Sequence, residues 1–151
     1  MIFTRTKRTA QKLAEELAER GFHVATVHGD LGQIAREKAL DAFRDGTVDV
    51  LVATDVAARG IDVDDVTHVI NYQCPEDDKT YVHRIGRTGR AGHSGVAVTL
   101  VDWDDIPRWM LIDKALDLGK GEPAETYHTS AHLYTDLDLS LIHISDGARE
   151  A

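Results

Sequence analysis

The chain has 151 residues, enough for one domain with a tail, and its 42% hydrophobic content excludes a disordered polymer. No apolar run approaches the roughly 18 residues of a membrane helix and no basic-then-apolar start suggests a signal peptide; the lone cysteine, Cys74, excludes an internal disulfide and a Cys-rich zinc motif, so a cytoplasmic domain without membrane contact is expected. A net charge of −9 speaks against a polyanionic partner, but it is unevenly placed: residues 1–60 are neutral, 61–100 carry −2 and 101–151 carry −7, with no acid between 79 and 101.

In chain order, Met1-Ile2-Phe3 reads as a strand end. A helix follows, capped by Thr4 or Thr6, with Ala10, Leu13, Ala14, Leu17 and Ala18 at helical spacing and Gly21 at its stop. Phe22–Val27 alternates like a strand, and His28-Gly29-Asp30 forms a loop. Gln33–Arg44 is a second helix with Ile34, Leu40 and Phe43 as inner positions and Gly46 beyond its end. Val48–Ala53 is a continuous apolar run suited to the middle of a parallel sheet. Thr54–Asp62 leaves it with a short helical turn. Val66–Asn71 is a strand closed by Cys74-Pro75, Asp78–Ile85 a short helix, and Gly95–Val101 a strand. Asp104–Leu118 is a helix carrying Trp109, Ile112, Ala115 and Leu116, after which the pattern fades. Alternating strands and helices point to a parallel α/β sheet with right-handed crossovers, whose ligands gather at the carboxyl ends of the strands.

The densest chemistry lies in His83–Gly92, where Arg84, Arg87 and Arg90 alternate with Gly86, Gly89 and Gly92. Glycines admit close backbone approach and arginine forks bind phosphate, so this run reads as a site that stabilises charge on a transferred phosphoryl group, or as a solvated basic turn. Arg84 and Arg87 are expected on one helical face. A second run, Leu51–Asp62, ends a buried strand in Thr54-Asp55 and then Arg59-Gly60. Here Thr54 can meet a phosphate, the amides after Asp55 an anion, and Asp62 a ribose; the alternatives are a helix cap at Asp55 and a turn at Asp62. Asp55 also resembles a Walker B carboxylate, but no G-x-x-x-x-G-K-[ST] occurs. Thr4–Arg8 and the His28-Gly29-Asp30 loop with Gln33 and Arg36 read either as phosphodiester contacts or as capped surface helices. The eight histidines include one i,i+4 pair, His128 and His132, without the Glu of H-E-x-x-H, so no metal site is expected.

Together these motifs resemble the second, C-terminal RecA-like domain of DEAD-box ATP-dependent RNA helicases of superfamily 2. Phe3–Lys7 is similar to motif IV, Gln33 and Arg36 to the Q-x-x-R that follows, Ala53–Asp62 (ATD…ARGID) to motif V, and Tyr81–Arg90 (YVHRIGRTGR) to motif VI. His83 and Arg59-Gly60-Ile61-Asp62 favour the RNA helicases over related DNA helicases. The resemblance implies an α/β fold of three layers, with a mostly parallel central sheet and helices on both faces. It implies a helicase domain over 1–118 and a partly irregular extension over 119–151, of which residues 140–151 fit no pattern.

The resemblance also implies roles. Arg87 and Arg90 would be arginine fingers on the γ-phosphate, and Asp62 and Gly60 would meet the nucleotide. His83 would contact the partner domain's carboxylate, and Arg59 would seal that interface. Arg5, Thr6, Gly29, Arg36 and Thr54 would line an RNA backbone path. In such helicases the Q motif, the Walker A lysine, the DEAD carboxylates and the SAT motif lie in a first domain. None is present, so a fragment cut short at Met1 is expected, inactive alone, with ATP and Mg²⁺ bound mainly by the missing N-terminal RecA-like domain. A non-enzymatic RNA-binding scaffold and a superfamily 2 DNA helicase are the competing readings.

Overall fold

The computed structural model describes residues 1–59, 63, 64, 66–89, 94–127 and 129–137, with the backbone alone at Tyr134. Two compact units divide the chain, Met1–Gly121 and Glu122–Ala151.

The first unit is built on strands β1 (Ile2–Thr4), β2 (Val24–Val27), β3 (Val50–Thr54), β4 (His68–Asn71) and β5 (Val96–Thr99). They form one sheet in the order β2-β3-β1-β4-β5, and every pairing is parallel. Between them run helices α1 (Lys7–Glu19), α2 (Gln33–Arg44), the single turn α3 (Asp55–Ala58) and α4 (Asp78–Ile85); α5 (Ile106–Leu116) follows β5 after a 3₁₀ turn at Trp103–Asp105.

Alternation along each strand assigns the two faces. Ile2, Val24, Val50 and Val52 pack under Ala10, Leu13 and Leu17 of α1. Phe3, Val27, Leu51, Ala53 and Val69 pack on the other side, with Leu40 and Phe43 of α2 and Ala57 and Ala58 of α3. A third cluster joins Trp109 and Ile112 of α5 to Cys74 and Tyr81. This is the three-layer α/β arrangement, with a sheet parallel throughout.

Several boundaries move from their sequence-based positions. β2 begins at Val24 because Gly21, at φ +95°, turns the chain and the Phe22 N–H returns to the Leu17 carbonyl, leaving Phe22 exposed. β3 begins at Val50 because the Val48 N–H is spent on the Ala42 carbonyl. β4 begins at His68 because the Val66 N–H donates to the Arg87 carbonyl.

Ile34, expected inside, is 85% exposed. At 100° per residue it stands opposite Phe43, and the inner face of α2 instead carries Arg36, Leu40 and Phe43. The second unit holds a helix the sequence pattern did not reveal, α6 (Ala131–Leu137), preceded by Ser130, whose hydroxyl accepts the Tyr127 N–H at 2.8 Å. No described helix is long and apolar enough to cross a membrane.

Candidate functional site: a cationic cleft at the strand ends

β1, β3 and β4 end side by side, with Thr4 paired to Thr54 and Phe3 to Asn71. The chain leaves β3 directly into α3, whose cap position is Thr54; Asp55 is therefore the first helical residue and not the cap. Its carboxylate is taken by Arg84: Nε donates to Oδ1 at 2.7 Å and Nη2 to Oδ2 at 2.8 Å. Arg84 Nη1 donates to the Gln73 carbonyl at 2.7 Å and to Asn71 Oδ1 at 3.3 Å, and the guanidinium lies 5.5 Å from the Phe3 ring centroid.

Arg84 is 1% exposed and forms the floor of the site; the expectation that it shares one helical face with Arg87 is corrected by the end of the helix. α4 ends at Ile85, so Arg87 lies beyond the helix on a turn instead of on its face. The α3 turn is four residues long, and the one carboxylate in it, Asp55, is paired with Arg84. Arg84 with its partners is the structural element that sequence reasoning missed. An acid at the end of a buried strand and an arginine inside a half-apolar helix were the available signals.

Above this floor lies a cleft of about 180 Å³. Ala58 and Arg59 form one wall, and Thr80, His83 and Arg87 the other. Arg59 and His83 are exposed; Arg87 is half-buried, with Nη2 3.4 Å from the Ala58 carbonyl. Three of the expected site residues thus meet at one opening. Gly60, Asp62 and Arg90 lie outside the described residues.

Two features fix the α4 wall. Asp77 caps α4 by accepting the Thr80 N–H at 2.7 Å, and that bond holds its carboxyl below the usual range. At the far end the Thr88 hydroxyl donates to the Val66 carbonyl.

The residues expected along a backbone path sit on the β1–β3 side. Thr6 caps α1, accepting the Thr9 N–H at 3.2 Å. Thr54 is buried and makes no capping bond. Gly29 faces open space: a Cβ there would meet nothing within 4 Å. Its loop is fixed by buried His28, whose Nδ1 accepts the Asp30 N–H at 3.3 Å and whose Nε2 lies 3.2 Å from the Gln11 amide. Lys7 pairs with Asp30, and its hydrogen bond holds the Asp30 carboxyl below the ordinary range.

Arg36 is half-buried on the inner face of α2, and its Nε is buried with no hydrogen-bond partner. Arg5 is differently employed. Its Nε and Nη2 donate to the Cys74 carbonyl at 3.0 and 2.7 Å, and Nη2 pairs with Asp105 at 3.0 Å, so it ties β1 to the turn after β4 and to the start of α5. Burial pushes the Cys74 thiol up, which fits a packed loop residue.

Residues 1–92 match the family model of the helicase conserved C-terminal domain. The chain is 50% identical over 115 residues, 76% of its length, to an ATP-dependent RNA helicase DeaD of Mycobacterium tuberculosis, and covers 20% of that protein. Its fold matches the C-terminal domain of the DEAD-box protein Dbp5 with a TM-score of 0.74 and 41% identity, over 80% of this chain and 71% of that one. The chain is the C-terminal RecA-like domain of a DEAD-box helicase.

A structure of S. cerevisiae Dbp5 bound to RNA and ADP BeF₃ is also similar, with a TM-score of 0.69 and 43% identity over 75% of this chain and 31% of that one. Measured against its curated relatives, the helicase domain described here spans about a fifth to a quarter of their length. Among its described residues no group of three or more His, Cys, Asp or Glu side chains could hold a metal ion.

Proposed function

We propose that this domain is the C-terminal half of an ATP-dependent RNA helicase, supplying cationic groups to ATP hydrolysis and part of a single-stranded RNA backbone path. The observation that carries this reading is the convergence of Arg59, His83 and Arg87 on one cleft whose floor is locked by Arg84. A solvated basic turn would scatter these side chains. Here β3–α3 and α4 hold them from opposite walls.

ATP would enter between this cleft and an N-terminal RecA-like domain. Arg87, with Arg90, would stabilise charge on the γ-phosphate, as an arginine finger does. Asp62 would accept ribose hydroxyls, and Gly60 would allow the nucleotide to come close. Arg59 and His83, both exposed at the rim, would face the partner domain and its carboxylate. Three arginines line the cleft and its one carboxylate, Asp55, is taken by Arg84, so Mg²⁺ would find its ligands on the other domain.

Thr6, Gly29, Arg36 and Thr54 would meet RNA phosphates and sugars, which makes recognition largely independent of sequence. Arg5 would act by holding β1 in place, because its guanidinium is committed to Cys74 and Asp105. RNA and ATP together would close the two domains, and hydrolysis would release them.

The test joins this chain to the N-terminal helicase domain of a DEAD-box relative and replaces Arg87 by Ala. RNA-stimulated ATP turnover should fall about a thousandfold or more, the scale of a lost arginine finger. Unchanged turnover would remove the role of Arg87 and favour a scaffold. Equal stimulation by DNA and RNA would favour a DNA helicase. The 151-residue chain by itself should not turn over ATP, and robust hydrolysis by it would overturn the two-domain reading.

A further inference from the structure

A second groove, larger than the catalytic cleft, lies between α1 and the end of β4, with a volume of about 280 Å³. Arg8, Thr9 and Lys12 of α1 form one wall, Leu13 lies at the base, Tyr72 forms the other wall, and Glu16 stands at one end. We propose that this groove is an added subsite for single-stranded RNA, taking one base against Tyr72 and its flanking phosphates on Arg8 and Lys12. The inference rests on the RNA-path reading and extends it beyond Thr6.

The Tyr72 ring is built as a platform. It is 40% exposed, yet the backbone is held on both sides of it: the Tyr72 N–H donates to the Phe3 carbonyl at 3.0 Å, and the carbonyl of the next residue, Gln73, accepts from Arg84 Nη1 at 2.7 Å. An aromatic side chain on a fixed backbone loses little freedom when a base stacks on it. Arg8 and Lys12 are four residues apart and so share a helical face, and both are exposed. Neither forms an ion pair with a carboxylate among the described residues. Two cations beside a fixed ring suit a phosphodiester strand whose bases stack without sequence choice.

Continuity with Thr6 selects the occupant. Thr9, which lines the groove, exchanges hydrogen bonds with Thr6 at 3.0 and 3.2 Å, so the groove begins at the α1 cap and a strand whose phosphate meets that cap can continue onto Arg8 and Lys12. Glu16 repels phosphate at the far end and biases the strand toward Arg8. An acidic peptide would satisfy the cations but would leave the ring without a planar partner.

The experiment measures binding of 5′-fluorescein oligouridylates of increasing length to the full chain by anisotropy. The native chain should bind longer oligomers more tightly. Tyr72→Leu, which keeps the apolar volume, should remove about tenfold of that gain while leaving the shortest oligomer unaffected. Arg8→Ala with Lys12→Ala should make the plot of log affinity against log salt shallower by about 1.4, the value for two single-strand phosphates. Circular dichroism melting of each variant checks folding, and Tyr72→Phe should restore the length gain.

Retention of the full length gain by folded Tyr72→Leu overturns the subsite while leaving the Thr6 path standing. Equal competition by a poly-glutamate peptide overturns the stacking role. Absence of binding to every oligomer overturns both the path and the groove.

Discussion

Arg84 shows how one residue can tie two motif segments together. Its side chain is 1% exposed, whereas that of Asp55 is 27% exposed, and the two are joined by a bidentate bond. The asymmetry of burial sets the energetics. If Asp55 is lost, the guanidinium remains buried with only Asn71 and the Gln73 carbonyl as acceptors. If Arg84 is lost, water can reach Asp55, and an apolar replacement still packs on Phe3. Asp55→Ala should therefore cost about 3–5 kcal/mol and Arg84→Met about 1–3 kcal/mol, read from urea midpoints at constant slope. Equal losses, or a larger loss for Arg84→Met, would show that the pair acts mainly through packing. Arg84→Lys should not restore the native value, because an ammonium cannot supply the fork that spans both carboxylate oxygens.

At the scale of elements, the turn after α4 is held by its closeness to the start of β5. A Cβ built on Gly95 would lie 1.9 Å from the Thr88 hydroxyl oxygen and 2.8 Å from the Gly89 nitrogen. Gly95→Ala must displace the turn that carries Arg87, at a cost of about 1–3 kcal/mol. Removing the Thr88 hydroxyl as well should recover part of the loss, and a double-mutant cycle on melting data would measure that coupling. Strict additivity would mean that the turn yields elsewhere.

The same elements show what the sequence could reveal. The apolar run at Val50–Thr54 and the stops at Gly21 and Gly46, with φ of +95° and +82°, were legible because each depends on local chemistry. The end of α5, at Leu116, lies within two residues of the expected Leu118, but the way it is capped was not legible. It closes at Asp117, a non-glycine at φ +52°, because the Asp113 carboxylate accepts the N–H groups of Lys120 and Gly121 and the Trp109 indole donates to the Gly121 carbonyl. The motifs named Arg59, His83 and Arg87, but periodicity could not place them round one opening, nor find the Arg84–Asp55 bond across 29 residues. The groove at Tyr72 was equally hidden, since its two walls are about 60 residues apart in sequence.

For the whole molecule, net charge and local charge pull in opposite directions. The chain carries −9 overall, while residues 79–101 hold no acid and Arg8, Lys12, Arg36 and Arg87 are among the candidate phosphate contacts. Raising salt from about 0.1 M to 1 M shortens the screening length from about 10 Å to 3 Å. That weakens repulsion among the excess carboxylates. It also weakens exposed pairs such as Lys7–Asp30 and Arg44–Asp41, but solvent already screens these and they contribute little, while the Arg84–Asp55 pair, with its buried guanidinium, is screened least. Relief of repulsion should therefore dominate, and the melting temperature should rise with added KCl. RNA affinity should fall over the same range, by about 0.7 logarithmic units per tenfold salt for each phosphate contacted. Thermal melts and anisotropy titrations on one salt series test both arms. A melting temperature that is flat or falls with KCl would mean that the surplus acid is too dispersed to repel, and affinity insensitive to salt would remove the phosphate contacts.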